Sequence, residues 1–110
     1  MKSTILGVAL ALSSTAAFSQ TVTGPVHITQ IVTGWGTEHF SVSLDSAIPN
    51  PAGCGATDLT GTGVEDAGYK TFYAAALTAL STDRPVQIVV SNNQCSGVRP
   101  KLIGISINRT

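Results

Sequence analysis

Few residues of this chain could carry acid–base chemistry. The chain has two histidines, and Ser41, Ser43 and Asp45 follow the second, His39, at alternating positions of a predicted strand. These are the residue types of a Ser-His-Asp arrangement, which is defined by geometry. Side chains two positions apart on a flat strand stand side by side and build neither a pocket nor an oxyanion hole. We therefore predict that the chain has no catalytic residues and is not an enzyme.

The spacing of the other ionisable residues argues against metal and cofactor sites. In the predicted strand register His27 and His39 share a face but stand about 13 Å apart, too far to bind one ion, and no third ligand has zinc spacing. Glu65 and Asp66 adjoin at a predicted helix start, so they do not form a glycosidase pair. Residues 61–63, Gly-Thr-Gly, lack the lysine of a phosphate loop. We predict no metal and no cofactor.

Ligand binding has better candidates. Trp35 is the only tryptophan and lies between two glycines at a predicted hairpin tip, where it either packs onto the core or is displayed. An exposed aromatic ring can stack on a sugar or fill a pocket of a partner. A polar strand face beside it suits hydrogen bonding to a ligand and equally suits water. The candidate ligand-binding residues are Trp35, Thr29, Thr37, His39 and Ser41.

The N-terminal residues have the features of a secretory signal peptide. Lys2 precedes a short apolar run at 5–12, and Ala17-Phe18-Ser19 is a small-x-small cleavage site. We predict cleavage after Ser19, so that 1–19 is a signal peptide and 20–110 is a single small domain, secreted or periplasmic. A buried N-terminal helix is the alternative. No other stretch reaches transmembrane length, so we predict no membrane span.

Cysteine and charge content narrow the class further. Two cysteines in an exported chain, Cys54 and Cys95, predict one disulfide, which closes a loop of roughly 42 residues and contributes about 4 kcal/mol by chain entropy. Alternatively, these two cysteines are reactive thiols or half of a metal site. The chain has six Lys and Arg and six Asp and Glu, so without Lys2 the domain has five and six, a net charge of −1. These charges are scattered, and we predict no nucleic-acid partner.

An amphipathic helix and a buried strand are the strongest structural signals. Residues 66–83 place apolar side chains at helical spacing, with Asp66 as the predicted N-cap and Pro85 as the stop. Residues 85–91 predict a strand with Val86, Ile88 and Val90 facing the core. The predicted apolar stripe of the helix consists of Tyr69, Phe72, Tyr73, Ala76, Leu77 and Leu80.

The rest of the chain predicts strands joined by loops. Residues 26–44 predict a hairpin with its turn at 34–36 and Thr33 paired with Thr37. This register places one set of side chains on the core face: Val26, Ile28, Gln30, Val32, Glu38, Phe40, Val42 and Leu44. Residues 20–24 predict a loose lead-in, and 45–68 a long loop that is either functional or holds a missed strand at 57–64.

The last strand completes the predicted fold. Residues 92–100 predict a polar turn region, and 102–108 a strand with Ile103, Ile105 and Ile107 facing the core. The predicted fold class is α+β or mostly β. It consists of a small antiparallel sheet, or an OB-like barrel, of four to five strands covered by one helix and held by one disulfide.

Three segments resemble a known family. Residues 26–34, VHITQIVTG, resemble the first strand of B subunits of the subtilase-cytotoxin and typhoid-toxin type, which carry a similar ITQ…TG segment. Residues 72–77, FYAAAL, and 85–88, PVQI, resemble their helix and the PVRI strand that follows it. The resemblance implies an exported, disulfide-bonded OB-fold domain that assembles into glycan-binding pentamers. The chain has Phe40 where those subunits have a cysteine, and their sugar-contacting residues are not matched one by one.

Two functions follow from these features. The first is an exported, non-enzymatic binding module for a glycan or another exported protein, toxin-B-subunit-like and able to form a homo-oligomer. The alternative is a periplasmic inhibitor or immunity-type protein that blocks an enzyme with the long 45–68 loop.

Overall fold

A computed structural model describes residues 19–34 and 39–109 of the chain. The predicted signal peptide, apart from Ser19, and the predicted ligand residues Trp35 and Thr37 lie outside these described residues. None of the described helical segments is long and apolar enough to cross a membrane. The described elements are β1 Gln20–Val26, β2 Ile28–Thr33, β3 His39–Leu44, β4 Thr60–Gly63, α1 Tyr69–Thr82, β5 Val86–Ser96 and β6 Arg99–Ile107.

The strands form one mixed sheet in the order β1-β5-β6-β4-β3-β2. All neighbours are antiparallel except β4 and β6, which pair in parallel. The described residues contain one helix beside the sheet, so the α+β class is confirmed, but the prediction of an antiparallel sheet or barrel of four to five strands is wrong. Within these residues the sheet has six strands and is not closed, since β1 and β2 are its two end strands. Only His27 separates these two strands along the chain.

The sixth strand comes from the segment predicted as a loose lead-in. β1 pairs with β5 from Gln20↔Ser91 to Val26↔Val86, with an irregularity between Thr23 and Val26. Its sequence, QTVTGPV, is polar and contains glycine and proline, so it lacks a strand pattern. Glycine and proline are tolerated here because β1 is at the edge of the sheet, where only one side of the strand pairs.

The β2–β3 hairpin forms, but its register differs from the predicted one. Thr33 pairs with Phe40 and not with Thr37, a shift of three residues. The Gly34 N–H donates to the His39 carbonyl at 3.2 Å. The connection therefore spans 35–38, longer than the predicted three-residue turn.

A bulge in β2 then changes which of its side chains face the core. The register shifts between Ile28 and Gln30, so that Ile31 lies opposite Val42 and packs against the core. The predicted core positions of Gln30 and Val32 are therefore wrong. On β3 the prediction is confirmed, since Phe40 and Val42 are fully buried.

The helix α1 begins two residues later than predicted. Its N-cap is Gly68, in the left-handed conformation with φ of 88°, and no side chain caps it. The predicted N-cap Asp66 instead accepts hydrogen bonds from Thr62 and from the Gly63 N–H. The helix ends where predicted, with Asp83 as a left-handed C-cap before Pro85.

The buried face of α1 is rotated relative to the predicted stripe. Ala76 and Ala79 are buried, and Tyr69, Phe72 and Leu80 pack around them. Two predicted stripe residues are at the margin instead, with Tyr73 37% and Leu77 46% exposed. The Tyr73 ring still contacts the edge of Phe40, at 5.4 Å between ring centroids.

The two longest strands provide most of the remaining core. Val86, Ile88 and Val90 are fully buried, as predicted. In β6 a bulge opposite Val90 shifts the pairing, so that Leu102 is fully buried. Of the three predicted core positions, Ile105 packs against the core, Ile103 is outside it, and Ile107 is 38% exposed.

The long predicted loop contains β4 and is tied down by specific contacts. The Cys54–Cys95 disulfide is confirmed, with 5.9 Å between the two Cα atoms. The Asn50 side chain donates to the Cys54 carbonyl and accepts from its N–H, both at 2.8 Å. The Ala56 N–H donates to the Val98 carbonyl at 2.8 Å. These contacts fix the segment against the β5–β6 turn.

Candidate functional site

A cleft of about 540 Å³, the His39 cleft, opens between β3, the end of β4 and the turn that joins β5 to β6. It brings together two of the predicted ligand residues, His39 and Ser41, which come from β3. Its other lining residues come from the end of β4 and the two residues after it, and from the β5–β6 turn with the strand ends on either side: Gly63, Val64, Glu65, Ser96, Gly97, Val98 and Arg99.

Two glycines of β4 make room for polar side chains of the cleft. A methyl group on Gly61 would collide with the Ser41 hydroxyl and come within 2.7 Å of the Phe40 carbonyl oxygen. A methyl group on Gly63 would lie 2.6 and 2.7 Å from the two carboxylate oxygens of Glu65. The alternating glycines therefore let Ser41 and Glu65 lie directly over the β4 backbone.

This close approach predicts the effect of a methyl group. Gly61→Ala should lower the free energy of unfolding by about 1–3 kcal/mol, because strand β3 must move away from β4 to admit the new atom. Gly55→Ala is the matched control, since its methyl group would meet only the Val98 side chain and carbonyl, at 3.7 and 3.8 Å. Urea unfolding of both variants measures the difference, and equal midpoints would contradict the proposed packing.

His39 stands where three cavities meet. It is half-buried, and Ser41 next to it on the same face is only 6% exposed. Two further cavities of about 250 Å³ each reach His39, one from the Tyr69 and Tyr73 side and one from the Leu59 side. A ligand in the His39 cleft would therefore lie beside an imidazole that also borders both smaller cavities.

The cleft has little net charge. The Arg99 guanidinium bonds Asp58 through two nitrogens, at 2.7 and 3.1 Å. This bidentate pair holds the pKa of Asp58 below its usual value and raises the pKa of Arg99. Glu65 has no ion-pair partner among the described residues. The cleft thus offers one free carboxylate and one cation that is already paired, which suits a polar ligand without strong negative charge.

Of the other predicted ligand residues, only Thr29 lies in the described part of the chain, and it does not line this cleft. Thr29 is exposed and its hydroxyl lies 2.8 Å from that of Ser43, outside the cleft. Trp35 and Thr37 lie outside the described residues. Sequence reasoning missed Glu65 and Arg99 as cleft residues. The signal that could have indicated the cleft is the Thr-Gly-Thr-Gly alternation of β4, because glycine inside a strand often marks close approach of another chain segment.

Of the residues considered for nucleophilic chemistry, the aspartate lies apart from His39 and Ser41. Asp45 accepts from the His27 N–H at 2.9 Å and lies 3.2 Å from its ring Nδ1, at the opposite end of β3 from His39. The hydrogen bond from the backbone N–H of His27 is the main cause of the lowered pKa of Asp45. No group of three or more His, Cys, Asp or Glu side chains within 19–34 and 39–109 could hold a metal ion.

Comparison with protein-family models and with curated proteins found no match for this chain.

Proposed function

We propose that the protein is an exported, non-enzymatic binding module with an open, OB-like strand arrangement, and that its His39 cleft holds a glycan. The order of the described elements supports this arrangement. If β1 and β2 are counted as one bent strand, α1 lies between the third strand (β4) and the fourth (β5), and the third strand pairs in parallel with the fifth (β6). OB folds are five-stranded and partly open.

The position of the cleft is the observation that carries the functional proposal. OB domains bind oligonucleotides and oligosaccharides on the face of strands two and three and on the loops between strands one and two and between strands four and five. The equivalent elements here are β3, β4, the 35–38 connection and the β5–β6 turn. The His39 cleft lies between three of these four elements.

The charge of the cleft favours a sugar over a nucleic acid. Phosphate backbones require several available Lys or Arg side chains, whereas the one cation that lines the described cleft, Arg99, is paired with Asp58. The rim carries Val64 and Val98, which are 48% and 59% exposed. Apolar rims around a few polar groups suit the mixed C–H and hydroxyl surface of a sugar ring.

A matched pair of serine variants tests this proposal on a glycan array. Ser41→Ala should weaken binding of the recognised glycan about tenfold, roughly 1.4 kcal/mol, because it removes a hydroxyl from the cleft. Ser43→Ala makes the same change two residues along the same strand but outside the cleft, and should bind like the parent. Absence of any glycan above background, or equal losses in both variants, would contradict the proposal.

The exposed valines at the rim favour one second candidate, a periplasmic inhibitor or immunity-type protein. Val98 lies beside the segment held by the Cys54–Cys95 disulfide, and together they form a fixed, partly apolar surface. If a protein partner binds this surface, Val98→Asp should abolish co-purification of that partner, whereas Ser41→Ala should not. The glycan proposal predicts the opposite ranking of these two variants.

A further inference from the structure

A second cleft, of about 610 Å³, opens at the other end of the described structure. It lies where the chain passes from β1 to β2, next to the C-terminal end of α1. We call it the two-arginine cleft. Its lining residues are Pro25, His27, Thr82, Asp83, Arg84, Pro85 and Arg109.

The arginines of this cleft have no carboxylate partner among the described residues. Arg99 and Lys101 form ion pairs with Asp58 and Asp66. Within 19–34 and 39–109, neither Arg84 nor Arg109 has a carboxylate within 4.0 Å, and Lys70 has none either. Two of the three cations without a partner therefore line one cleft.

Contacts around the cleft hold the Arg84 side chain beside the backbone of the C-terminal segment. One terminal nitrogen of Arg84 donates to the Arg109 carbonyl at 3.5 Å, and the Asn108 N–H donates to the Pro85 carbonyl at 2.8 Å. His27 contacts Asp45 through Nδ1, so Nε2 is the ring nitrogen left for another partner. The prolines add two apolar rings to the same lining.

Three features oppose an anion at this position. Asp83 lies in the same cleft, Asp45 contacts the ring of the lining residue His27, and the C-terminal end of a helix carries partial negative charge. Part of that charge is already compensated, because the Asp83 and Arg84 N–H groups both donate to the Ala79 carbonyl. The negative charge of Asp83 is thus the main repulsion that a bound anion would experience.

We propose that the two-arginine cleft binds an organic oxyanion, a carboxylate, phosphate or sulfate group, between the guanidinium groups of Arg84 and Arg109. The planar guanidinium fork bonds oxyanions through two nitrogens at once. The carbon skeleton of the ligand packs against Pro25 and Pro85. This site is separate from the His39 cleft and independent of the function proposed for it.

Titration of the oxidised protein with sodium phosphate, acetate and glucuronate, followed by arginine side-chain NMR at constant ionic strength, tests the site. We expect saturable shifts of both arginines with the anions and none with glucose. Arg84→Gln and Arg109→Gln should each weaken binding at least about tenfold. Lys70→Gln is the matched control, since it removes the same charge near the other end of α1, about 18 Å away along the helix axis, and should bind like the parent.

A gain-of-function variant keeps the test independent of folding defects. Asp83→Asn removes the opposing charge and should tighten anion binding several-fold, and asparagine tolerates the left-handed conformation of residue 83, with φ of 53°. Chemical shifts that rise linearly without saturating would overturn the site. So would a loss of anion affinity in Lys70→Gln equal to that in the arginine variants, or an unchanged anion affinity in Asp83→Asn. Tighter binding of glucuronate than acetate supports the proline contact, and equal binding of the two overturns that part. Ser41→Ala should leave all these titrations unchanged.

Discussion

Replacing both cysteines, Cys54→Ser with Cys95→Ser, should lower the free energy of unfolding by about 2–4 kcal/mol. The bridge joins residues 41 positions apart and so closes a large loop of the unfolded chain. Without it the unfolded chain gains conformational entropy. For a domain of this size, such a loss should lower the melting temperature by roughly 10–25 °C.

The folded state should survive this change because other contacts hold the same segment. Asn50 brackets the Cys54 backbone through two hydrogen bonds of 2.8 Å. The Ala56 N–H still reaches the Val98 carbonyl, and Arg99 still pairs with Asp58. We therefore expect circular dichroism spectra and backbone NMR shifts like those of the parent, outside the immediate surroundings of residues 54 and 95.

Urea unfolding of the double variant beside the oxidised and the reduced parent measures this prediction. The reduced parent should match the double variant, since both lack the cross-link. The slope of the free energy against urea should rise slightly, because the unfolded chain exposes more surface without the bridge. A double variant with the same urea midpoint as the oxidised parent would show that the bridge contributes nothing to stability.

The sequence predicts the parts of the fold in which one side chain pattern dominates. The alternation of Val86, Ile88 and Val90 correctly identified a buried strand, and Pro85 correctly marked the helix end. The disulfide followed from cysteine count and the predicted export. These signals are local, and the tertiary structure agrees with each of them.

Pairing and register could not be predicted, because they depend on partners distant in sequence. The polar segment 20–26 becomes strand β1 only because β5 supplies its hydrogen bonds. A bulge after Ile28 turns Ile31 toward the core, and another opposite Val90 turns Leu102 inward and Ile103 outward. Each bulge inverts the faces of the residues beyond it, and a simple alternation rule cannot locate it.

The same limit explains the partial prediction of the candidate site. His39 and Ser41 were found because they share a face of one strand. Glu65 and Arg99 were missed because β4 and the β5–β6 turn bring them to the cleft from sequence positions more than twenty residues away. Asp66 was assigned to the helix start by a common capping pattern, whereas the structure uses its carboxylate to connect β4 with β6.

Asp66→Asn should lower the free energy of unfolding at neutral pH by about 1–2 kcal/mol, and Asp66→Ala by about 2–4 kcal/mol. One carboxylate oxygen lies 2.6 Å from the Lys101 ammonium. The other accepts from the Gly63 N–H at 2.9 Å and the Thr62 hydroxyl at 3.0 Å. Asparagine keeps an oxygen for the latter two donors but turns its amide NH2 toward Lys101, so the charge and the Lys101 contact are lost, whereas alanine leaves all three donors without this acceptor.

The location of this ion pair makes the loss larger than for a surface pair. The side chains of Asp66 and Lys101 are only 16% and 21% exposed. Water therefore replaces the missing carboxylate poorly, and Gln94, whose side-chain oxygen lies 3.2 Å from the Lys101 ammonium, offers only a neutral partner. The ion pairs of Asp45 and Asp58 are more exposed, with these carboxylates 45% and 61% accessible, and should contribute much less.

The pH dependence of stability should identify the charge of Asp66 as the cause. Partial burial raises the pKa of Asp66, but hydrogen bonds from Lys101, Gly63 and Thr62 outweigh this effect and lower it from 3.8. The folded protein therefore holds the carboxylate form more strongly than the unfolded chain does. Its stabilisation is complete above the ordinary pKa and is lost as the pH falls through the lowered value.

Unfolding by urea at a series of pH values from 7 down to 2 measures this dependence. The parent should lose stability below about pH 4, and Asp66→Asn should lose less over the same interval, because one of the groups that titrate differently on unfolding has been removed. Asp58→Asn is the matched control, since it removes an equivalent charge from the exposed Arg99 pair and should change the curve little. If both variants gave the same pH curve as the parent, the Asp66–Lys101 pair would not be the acid-sensitive connection between β4, the start of α1 and β6.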